Sequence, residues 1–264
     1  MHVVAVANQK GGVGKTTASI SLAASLAKKD LRVLLVDMDP QGNCGAGLGV
    51  ACGSEEASLY EVLARGTPIE RAAKCTPHPA LETLRLLPAG PRLARAESEL
   101  PGQVAFDELL KHRLARVRDD YDLVVVDCPP SLGALTINGL GAADLVLAPV
   151  QCEFFAARGV VKLVELVRTV RERRNPALAL RLVPSLYDKR NNICRAVLAE
   201  LRKTFPSEVS EVVVGVDTRV RESQARGTPL CVFAPRSRAA VAYTALAEEV
   251  RGLMAQGARH AQAA

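Results

Sequence analysis

KGGVGKTT, the stretch Lys10–Thr17, follows the apolar run Val3–Ala7 and precedes the helical stretch Ala18–Lys28. A buried strand, a glycine-rich turn and a helix in this order are the setting of a phosphate-binding loop. Glycines without side chains let successive backbone N–H groups point into one concavity at a helix N-terminus, where phosphate oxygens are stabilised. The predicted nucleotide-binding residues are Gly11, Gly12, Val13, Gly14, Lys15, Thr16 and Thr17.

Four side chains of this loop have separate predicted roles. Lys15 is placed to bind the β- and γ-phosphates, Thr16 to give its hydroxyl to Mg²⁺, and Thr17 to reach an α-phosphate oxygen. Lys10 is unusual, because Gln9 occupies the position at which the ordinary motif G-x-x-x-x-G-K-[ST] has its first glycine. Two ammonium groups in one short loop repel each other unless a polyanion lies between them, so Lys10 predicts a second contact with phosphate.

Acidic residues end two further predicted strands. Arg32–Val36 leads to Asp37 and Asp39, and Tyr121–Asp127 ends in a carboxylate, as a Walker B strand does. Open α/β sheets bind ligands at the carboxyl ends of their strands. These acids can therefore serve Mg²⁺ and a nucleophilic water beside the loop.

The rest of the chain continues the alternation of strands and helices. Short apolar runs typical of strands buried on both faces recur as far as Val212–Val216, the last predicted strand. This alternation predicts an α/β fold with a doubly wound, mostly parallel sheet. We expect a single domain over residues 1–254, ending in a helix at Ala240–Met254, and a flexible C-terminal tail over residues 255–264.

Composition and charge narrow the function classes. Hydrophobic residues make up 48% of the chain and charged residues 23%, and no apolar run reaches the roughly 18 to 20 residues of a membrane span. Seven scattered cysteines without a C-x-x-C pair argue against a disulfide framework or a zinc site. Residues 151–264 carry 19 Lys and Arg against 11 Asp and Glu, which favours a surface for a polyanion in this half of the chain.

A family resemblance is carried by three motifs in order, KGGVGKTT at Lys10–Thr17, DMDPQGN at Asp37–Asn43 and VVVDCPP at Val124–Pro130. Together they resemble the ParA/MinD group of deviant Walker A P-loop NTPases, and within it the chromosomal, Soj-type ParA branch. The likeness continues through Arg219–Ala225 and Pro235–Ser237, so it covers nearly the whole chain. It departs at Val216–Arg219, where many ParA proteins have Ile-Pro-Arg-Asn.

The resemblance implies an Mg²⁺-dependent ATPase that is slow and stimulated by a partner. Asp39 would be the residue most tied to hydrolysis, and Lys10 would reach the active site of a second protomer in a homodimer that encloses ATP. The expected catalytic residues are thus Lys10, Lys15 and Asp39. The expected metal-binding residues are Thr16, Asp37 and Asp127.

The resemblance also implies partners and a location. The ATP-bound dimer would bind double-stranded DNA without sequence preference, and a ParB-like protein would stimulate hydrolysis during chromosome or plasmid segregation. We expect a cytoplasmic, nucleoid-associated protein with no membrane partner. The candidate DNA-contacting residues are Arg168, Arg171, Arg174, Arg195, Arg219 and Arg221.

Alternatives stay open at this point. Related ATPases use the same switch to position other cargo, such as chemoreceptor arrays. A MinD-like membrane ATPase would need a C-terminal membrane helix, whereas Ala255–Ala264 has no aromatic residue and no lysine. A reductase like the nitrogenase iron protein would need bridging cysteines, and Cys128 lies in a different context. A nucleotide-dependent protein that does not hydrolyse ATP would need no acid at Asp39.

Overall fold

One mostly parallel sheet organises the described part of the chain. The computed structural model describes residues 1–153 and 156–263, with the side chains of 156–158 and 256–263 left out of the description. The strands are β1 (His2–Val6), β2 (Val33–Asp37), β3 (Lys74–Cys75), β4 (Leu84–Leu87), β5 (Leu123–Asp127), β6 (Leu145–Gln151) and β7 (Ala179–Ser185). Their order in the sheet is β3-β4-β2-β5-β1-β6-β7, and the pairing is antiparallel only between β3 and β4.

Helices cover both faces of this sheet. They are α1 (Lys15–Ala27), α2 (Asn43–Leu48), α3 (Leu59–Arg65), α4 (Ile69–Ala72), α5 (Ala96–Glu99), α6 (Leu109–Ala115), α7 (Ala134–Ala142), α8 (Ala156–Arg173), α9 (Asn192–Thr204), α10 (Thr218–Ala225), α11 (Leu230–Phe233) and α12 (Arg238–Ala263). Short 3₁₀ turns lie at Pro79–Leu81, Leu93–Arg95, Leu100–Gly102 and Phe106–Glu108. None of the helices in the described residues is long and apolar enough to cross a bilayer.

The central strands are apolar on both faces because two separate cores pack against them. Side chains of α3 to α8 form one core with one face of the sheet. Side chains of α1, α2, α11 and α12 form the other core with the opposite face. Every residue of β2 and β5 is buried. The predicted doubly wound α/β fold is therefore confirmed.

The predicted last strand, Val212–Val216, is wrong. Residues 208–216 run beside β7, with Ser210 donating to the Leu182 carbonyl and Val214 to the Pro184 carbonyl, each at 2.8 Å. Only isolated bridges form there. Pro184 has no N–H to donate, so the hydrogen bonds between β7 and residues 208–216 are interrupted at this residue, whereas the pairing of β7 with β6 continues through it.

Two helix boundaries also differ from expectation. Helix α1 begins at Lys15 rather than Ala18, so the last three residues of KGGVGKTT form its first turn. Helix α12 runs from Arg238 to Ala263, beyond the expected end at Met254. The backbone of the expected tail is thus helical as far as Ala263, whereas its flexibility remains a prediction.

The sheet brings the acidic residues of the sequence motifs together. In the pairing of β2 with β5, Asp37 lies directly opposite Asp127. On the other side of β5, Asp127 pairs with Val6, the last residue of β1. The loop that follows β1 and the two carboxylates therefore lie at the same edge of the sheet.

Candidate functional site

The KGGVGKTT loop forms an open cradle at the N-terminus of α1. Gly12 and Gly14 have φ angles of 75° and 92°. A Cβ atom added to Gly11, Gly12 or Gly14 would meet no other atom within 4 Å, so the inner side of the loop is open space. A cavity of about 420 Å³ extends from the loop and is also lined by Lys15, Thr16, Thr17, Asp39, Pro130 and Gln224. An N-terminus with free N–H groups in a concavity is suited to phosphate.

Gly14→Ala is expected to lower the free energy of unfolding by about 1–2 kcal/mol, because a side chain disfavours the left-handed conformation that Gly14 adopts before α1. Urea denaturation of the nucleotide-free protein measures this loss. Gly102→Ala is the matched control, since its Cβ also meets open space but its backbone is not left-handed. Equal losses of stability in the two variants would show that the left-handed backbone of Gly14 is not the cause.

Lys15 is buried beneath the loop, with 7% of its surface exposed. Its Nζ donates to the carbonyl of Lys10 at 3.1 Å. Burial lowers the pKa of Lys15, while the nearby Asp127 and Asp39 carboxylates act in the opposite direction. A phosphate group bound in the loop would supply the negative charge that stabilises this ammonium group.

Asp127 is completely buried and accepts three hydrogen bonds. Thr16 Oγ1 donates to it at 2.7 Å, Ser19 Oγ at 2.8 Å and Cys44 Sγ at 3.3 Å. Burial raises the pKa of Asp127 to about 6, although these hydrogen bonds act in the opposite direction. The strand end thus presents a carboxylate in contact with the first turn of α1.

Asp37 is the second buried carboxylate of the site. Its oxygens accept hydrogen bonds from the backbone N–H of Asp39 at 3.2 Å and of Cys44 at 3.0 Å. Burial raises its pKa to about 8, and the charge of Asp127 adds to this increase. Ligand atoms of Asp37, Cys44 and Asp127 all lie within 4.8 Å of one another.

These residues fit a magnesium ion. Mg²⁺ prefers hard oxygen ligands, which the carboxylates of Asp37 and Asp127 and the hydroxyl of Thr16 offer. Two neighbouring buried carboxylates whose pKa values are raised also favour a divalent cation, because it would offset their mutual repulsion. The Cys44 thiol, in contrast, is fully buried, and burial raises its pKa well above the ordinary value.

Asp37→Asn is expected to gain stability relative to the wild type as the pH rises from about 4 to about 8, in protein free of nucleotide and Mg²⁺. Because the pKa of Asp37 is raised from 3.8 to about 8, the folded wild type holds a proton that the unfolded chain has released, and rising pH therefore lowers its stability. The amide does not titrate. Urea denaturation across this interval measures the difference, with exposed Asp120→Asn as the control. If the difference in the free energy of unfolding between Asp37→Asn and the wild type did not change with pH, the raised pKa of Asp37 would be contradicted.

Asp39 lies just beyond Asp37 and is 8% exposed. Its Oδ1 accepts a hydrogen bond from the backbone N–H of Gln41 at 3.0 Å, which fixes the carboxylate in the turn after β2. Unlike Asp37, it lines the same cavity as Lys15 and Thr16. Its position at the edge of open space is suited to a contact with a water molecule beside bound phosphate.

Lys10 lies at the rim of the site. Its Nζ forms an ion pair with Glu153 Oε2 at 2.8 Å, and 35% of its side chain is exposed. The backbone N–H of Lys10 donates to Asn8 Oδ1 at 3.0 Å. Lys10 and Lys15 therefore have different partners within one protomer, the first a carboxylate and the second a backbone carbonyl.

Comparison with known proteins identifies the family. A family model described as AAA domain matches residues 1–180. The chain is 41% identical over 251 residues to the chromosome partitioning protein ParA of Myxococcus xanthus, which covers 94% of this chain and 87% of that protein. It is 41% identical over 249 residues to the sporulation initiation inhibitor protein Soj of Bacillus subtilis, which covers 94% and 97%, respectively.

This chain belongs to the ParA/Soj family of partitioning ATPases. The resemblance carried by the three sequence motifs is thereby confirmed. Solved structures of a cobyrinic acid a,c-diamide synthase from Mycobacterium smegmatis are 37% identical, with a TM-score of 0.81 over 94% of this chain and 93% of that chain. They contain magnesium with ADP or with an ATP analogue. These are the groups for which the loop and the carboxylates of the present chain are suited.

The predicted DNA-contacting arginines of this ParA/Soj protein lie in two layers. Arg168 and Arg171 belong to α8, and Arg174 directly follows it, on the face of the sheet covered by α3 to α8. Arg219 and Arg221 lie on α10, which packs through Val220 against the other core. Arg195 lies on α9. The structure thus brings Arg219 and Arg221 together but separates them from the α8 arginines.

The contacts of these arginines divide them further. Arg171 Nε donates to the Leu178 carbonyl at 2.7 Å, and Arg174 Nε pairs with Asp107 at 2.7 Å, so both join parts of the fold. The others bond only to near neighbours in the sequence: Arg168 pairs with Glu172 at 3.9 Å, Arg195 bonds to Asn192, and Arg219 pairs with Glu222 at 2.6 Å. Arg221 is exposed and forms no ion pair with any described residue.

Several residues of the site were missed from the sequence. Ser19 reaches Asp127 because it lies one helical turn after Lys15, on the side of α1 that faces β5. This spacing of four residues could have indicated it. Glu153, which pairs with Lys10, and Gln224, which donates to Thr17 at 2.8 Å, lie far away in the sequence, and no local pattern points to them.

Proposed function

We propose that this protein is an ATP-dependent dimerising ATPase that binds DNA without sequence preference and drives chromosome or plasmid segregation with a ParB-like partner. The observation that carries the proposal is the placement of Lys10 at the rim of the site, half-exposed, while Lys15 alone lies beneath the loop. A lysine at the rim can reach a nucleotide held by a second protomer. One ion pair between exposed side chains stabilises by only about 0–1 kcal/mol, so Lys10 can leave Glu153 at little cost.

Each predicted site residue has a role in this proposal. Lys15 binds the β- and γ-phosphates of ATP, the backbone of Gly11, Gly12, Val13 and Gly14 surrounds them, and Thr17 bonds the α-phosphate. Thr16, Asp37 and Asp127 hold Mg²⁺, which when bound neutralises part of the phosphate charge. Asp39 orients the attacking water. Lys10 of the second protomer stabilises the charge that develops during hydrolysis.

The DNA surface is proposed to centre on Arg221. It is exposed, it has no opposite charge bound to it among the described residues, and it shares α10 with Arg219. Arg168 and Arg195 are exposed as well and extend the proposed surface. Arg171 and Arg174 are engaged in contacts within the fold, so we expect them to contribute less to DNA binding. Contacts of this kind with phosphates bind DNA regardless of its sequence. The proposed location is the nucleoid in the cytoplasm, and the proposed ATPase domain spans residues 1–254.

The test is DNA binding by the purified protein with ATP, with ADP and without nucleotide, on two unrelated duplexes. We expect much tighter binding with ATP than with ADP or without nucleotide, and equal binding to both duplexes. Lys10→Ala and Arg221→Ala should each weaken it, and Arg221→Ala should also reduce the dependence of affinity on salt by about one phosphate contact. Arg118→Ala removes an exposed charge elsewhere and serves as the control.

Three results would contradict the proposal or a part of it. Absence of DNA binding in all three nucleotide states would exclude a DNA-bound switch. Equal weakening by Arg221→Ala and Arg118→Ala would show that net charge, rather than α10, determines the affinity. Binding that depends on ATP without any effect of a ParB-like protein on hydrolysis would favour a related ATPase that positions another cargo.

A further inference from the structure

Helix α10 carries Arg219 and Arg221 near its start and contacts the nucleotide site near its end. Gln224, in its last turn, donates a hydrogen bond from Nε2 to Oγ1 of Thr17 at 2.8 Å. Thr17 belongs to the KGGVGKTT loop, in the first turn of α1. A side chain of the proposed DNA-binding helix is therefore bonded directly to the phosphate-binding loop.

A second contact links the end of α10 to α2. The turn after α10 contains Gly227, and Gly49 directly follows α2; both have left-handed backbones, with φ angles of 56° and 67°. A Cβ atom on Gly227 would lie 3.0 Å from backbone atoms of Gly49. The Gly227 carbonyl also lies 2.9 Å from His78 Nε2. The end of α10 thus packs against the segment that directly follows Asp37 and Asp39.

The start of α10 is fixed by a different element. Asp217 caps the helix by accepting from the N–H of Arg219 at 3.0 Å, and its other oxygen accepts from the N–H of Ala239 at 3.1 Å. Ala239 lies at the start of α12, which packs on the sheet. One end of α10 is therefore attached to the core, whereas the other contacts the KGGVGKTT loop and α2.

We propose that Gln224 is a positioning residue that couples nucleotide binding to DNA binding through α10, an inference that rests on the proposed function. A threonine hydroxyl can accept one hydrogen bond and donate another. Thr17 accepts from Gln224, so its hydrogen is free to donate to an α-phosphate oxygen. A hydroxyl that donates to an anion becomes a stronger acceptor, because hydrogen bonds in a chain polarise one another. Bound nucleotide thus strengthens the Gln224 contact and fixes α10.

The coupling is reciprocal. If nucleotide raises the affinity for DNA through Gln224, DNA must raise the affinity for nucleotide by the same factor. Loss of the side chain therefore reduces both effects together. A residue that merely stabilised the fold would alter the affinities in all nucleotide states and leave their ratio unchanged.

The experiment compares the wild type with Gln224→Ala and with Thr218→Ala, a neutral and exposed side chain on the same helix. DNA affinity is measured without nucleotide and with a saturating, non-hydrolysable ATP analogue. We expect the ratio of the two affinities to fall roughly 2- to 10-fold in Gln224→Ala, the effect of one hydrogen bond, and to stay unchanged in Thr218→Ala.

A second readout needs no DNA. Hydrogen exchange of the α10 amides is measured with and without Mg²⁺ and ADP. We expect nucleotide to slow this exchange in the wild type and in Thr218→Ala but not in Gln224→Ala. If nucleotide slowed exchange in α10 of Gln224→Ala as much as in the wild type, and the affinity ratio were undiminished, the role of Gln224 would be overturned. The proposed function would not be affected. Absence of nucleotide-dependent DNA binding in the wild type would instead contradict the proposed function, and the exchange measurement would still decide whether Gln224 links α10 to the loop.

Discussion

Lys15→Ala is expected to weaken ATP binding roughly 10- to 100-fold, because hydrogen bonds between a charged group and phosphate contribute about 1.5–3 kcal/mol each. Lys15 is buried under the loop, and its nearest acidic neighbours, Asp127 and Asp39, lie at the carboxyl ends of the strands. No other lysine lines the cavity within the described residues. Titration with a fluorescent ATP analogue in the presence of Mg²⁺ measures the loss.

The control for this variant is Lys111→Ala, which removes an exposed lysine on α6. It should bind the analogue with the affinity of the wild type, since it changes the net charge equally but leaves the site intact. Should Lys15→Ala and Lys111→Ala bind equally well, the KGGVGKTT loop would not be the nucleotide site.

Asp39→Ala is expected to reduce ATP hydrolysis roughly 100-fold or more while ATP binding persists. A group that accepts or orients a proton in the transition state contributes about 10²- to 10⁴-fold to the rate. Asp39 lines the cavity, whereas Asp37 accepts a hydrogen bond from the Cys44 N–H in α2 and Asp127 accepts one from Thr16 in α1. Phosphate release at saturating ATP measures the rate, and the fluorescent analogue measures binding.

Asp120→Ala provides the matched control, because it removes an exposed carboxylate far from the cavity. Hydrolysis by this variant should equal that of the wild type. If Asp39→Ala instead lost ATP binding along with hydrolysis, Asp39 would belong to the phosphate or metal contacts, and the assignment of the water position to it would be wrong.

Much of the fold could be predicted from the sequence because the central strands are buried on both faces. Val3–Ala7 and Val124–Val126 are continuous apolar runs, and this pattern is typical of strands with helices on both sides of the sheet. The glycines and lysines of one short loop likewise lie next to each other in the chain. Their local spacing is sufficient to predict the cradle that the structure contains.

Contacts between distant segments could not be predicted in this way. Glu153 bonds to Lys10 across 143 residues, and Gln224 bonds to Thr17 across 207 residues. Neither partner belongs to a local periodic pattern. The same holds for the apolar run Val212–Val216, which forms only isolated bridges. The cause is Pro184 in the neighbouring strand β7, which no pattern within the run itself indicates.

An ATPase assay on a mixture of two inactive variants is the most direct test of the proposed action of Lys10 across a dimer. Lys10→Ala lacks the lysine proposed to act in the second protomer, and Asp39→Ala lacks the proposed water-positioning acid; each alone should hydrolyse ATP very slowly. In an equal mixture about half of the dimers are mixed, and each has one complete site, formed by the Asp39 of one protomer and the Lys10 of the other. Because half of the dimers are mixed and half of their sites are complete, we expect the mixture to recover about a quarter of the wild-type rate of hydrolysis. A mixture no more active than either variant, although both bind ATP, would contradict the action of Lys10 across a dimer.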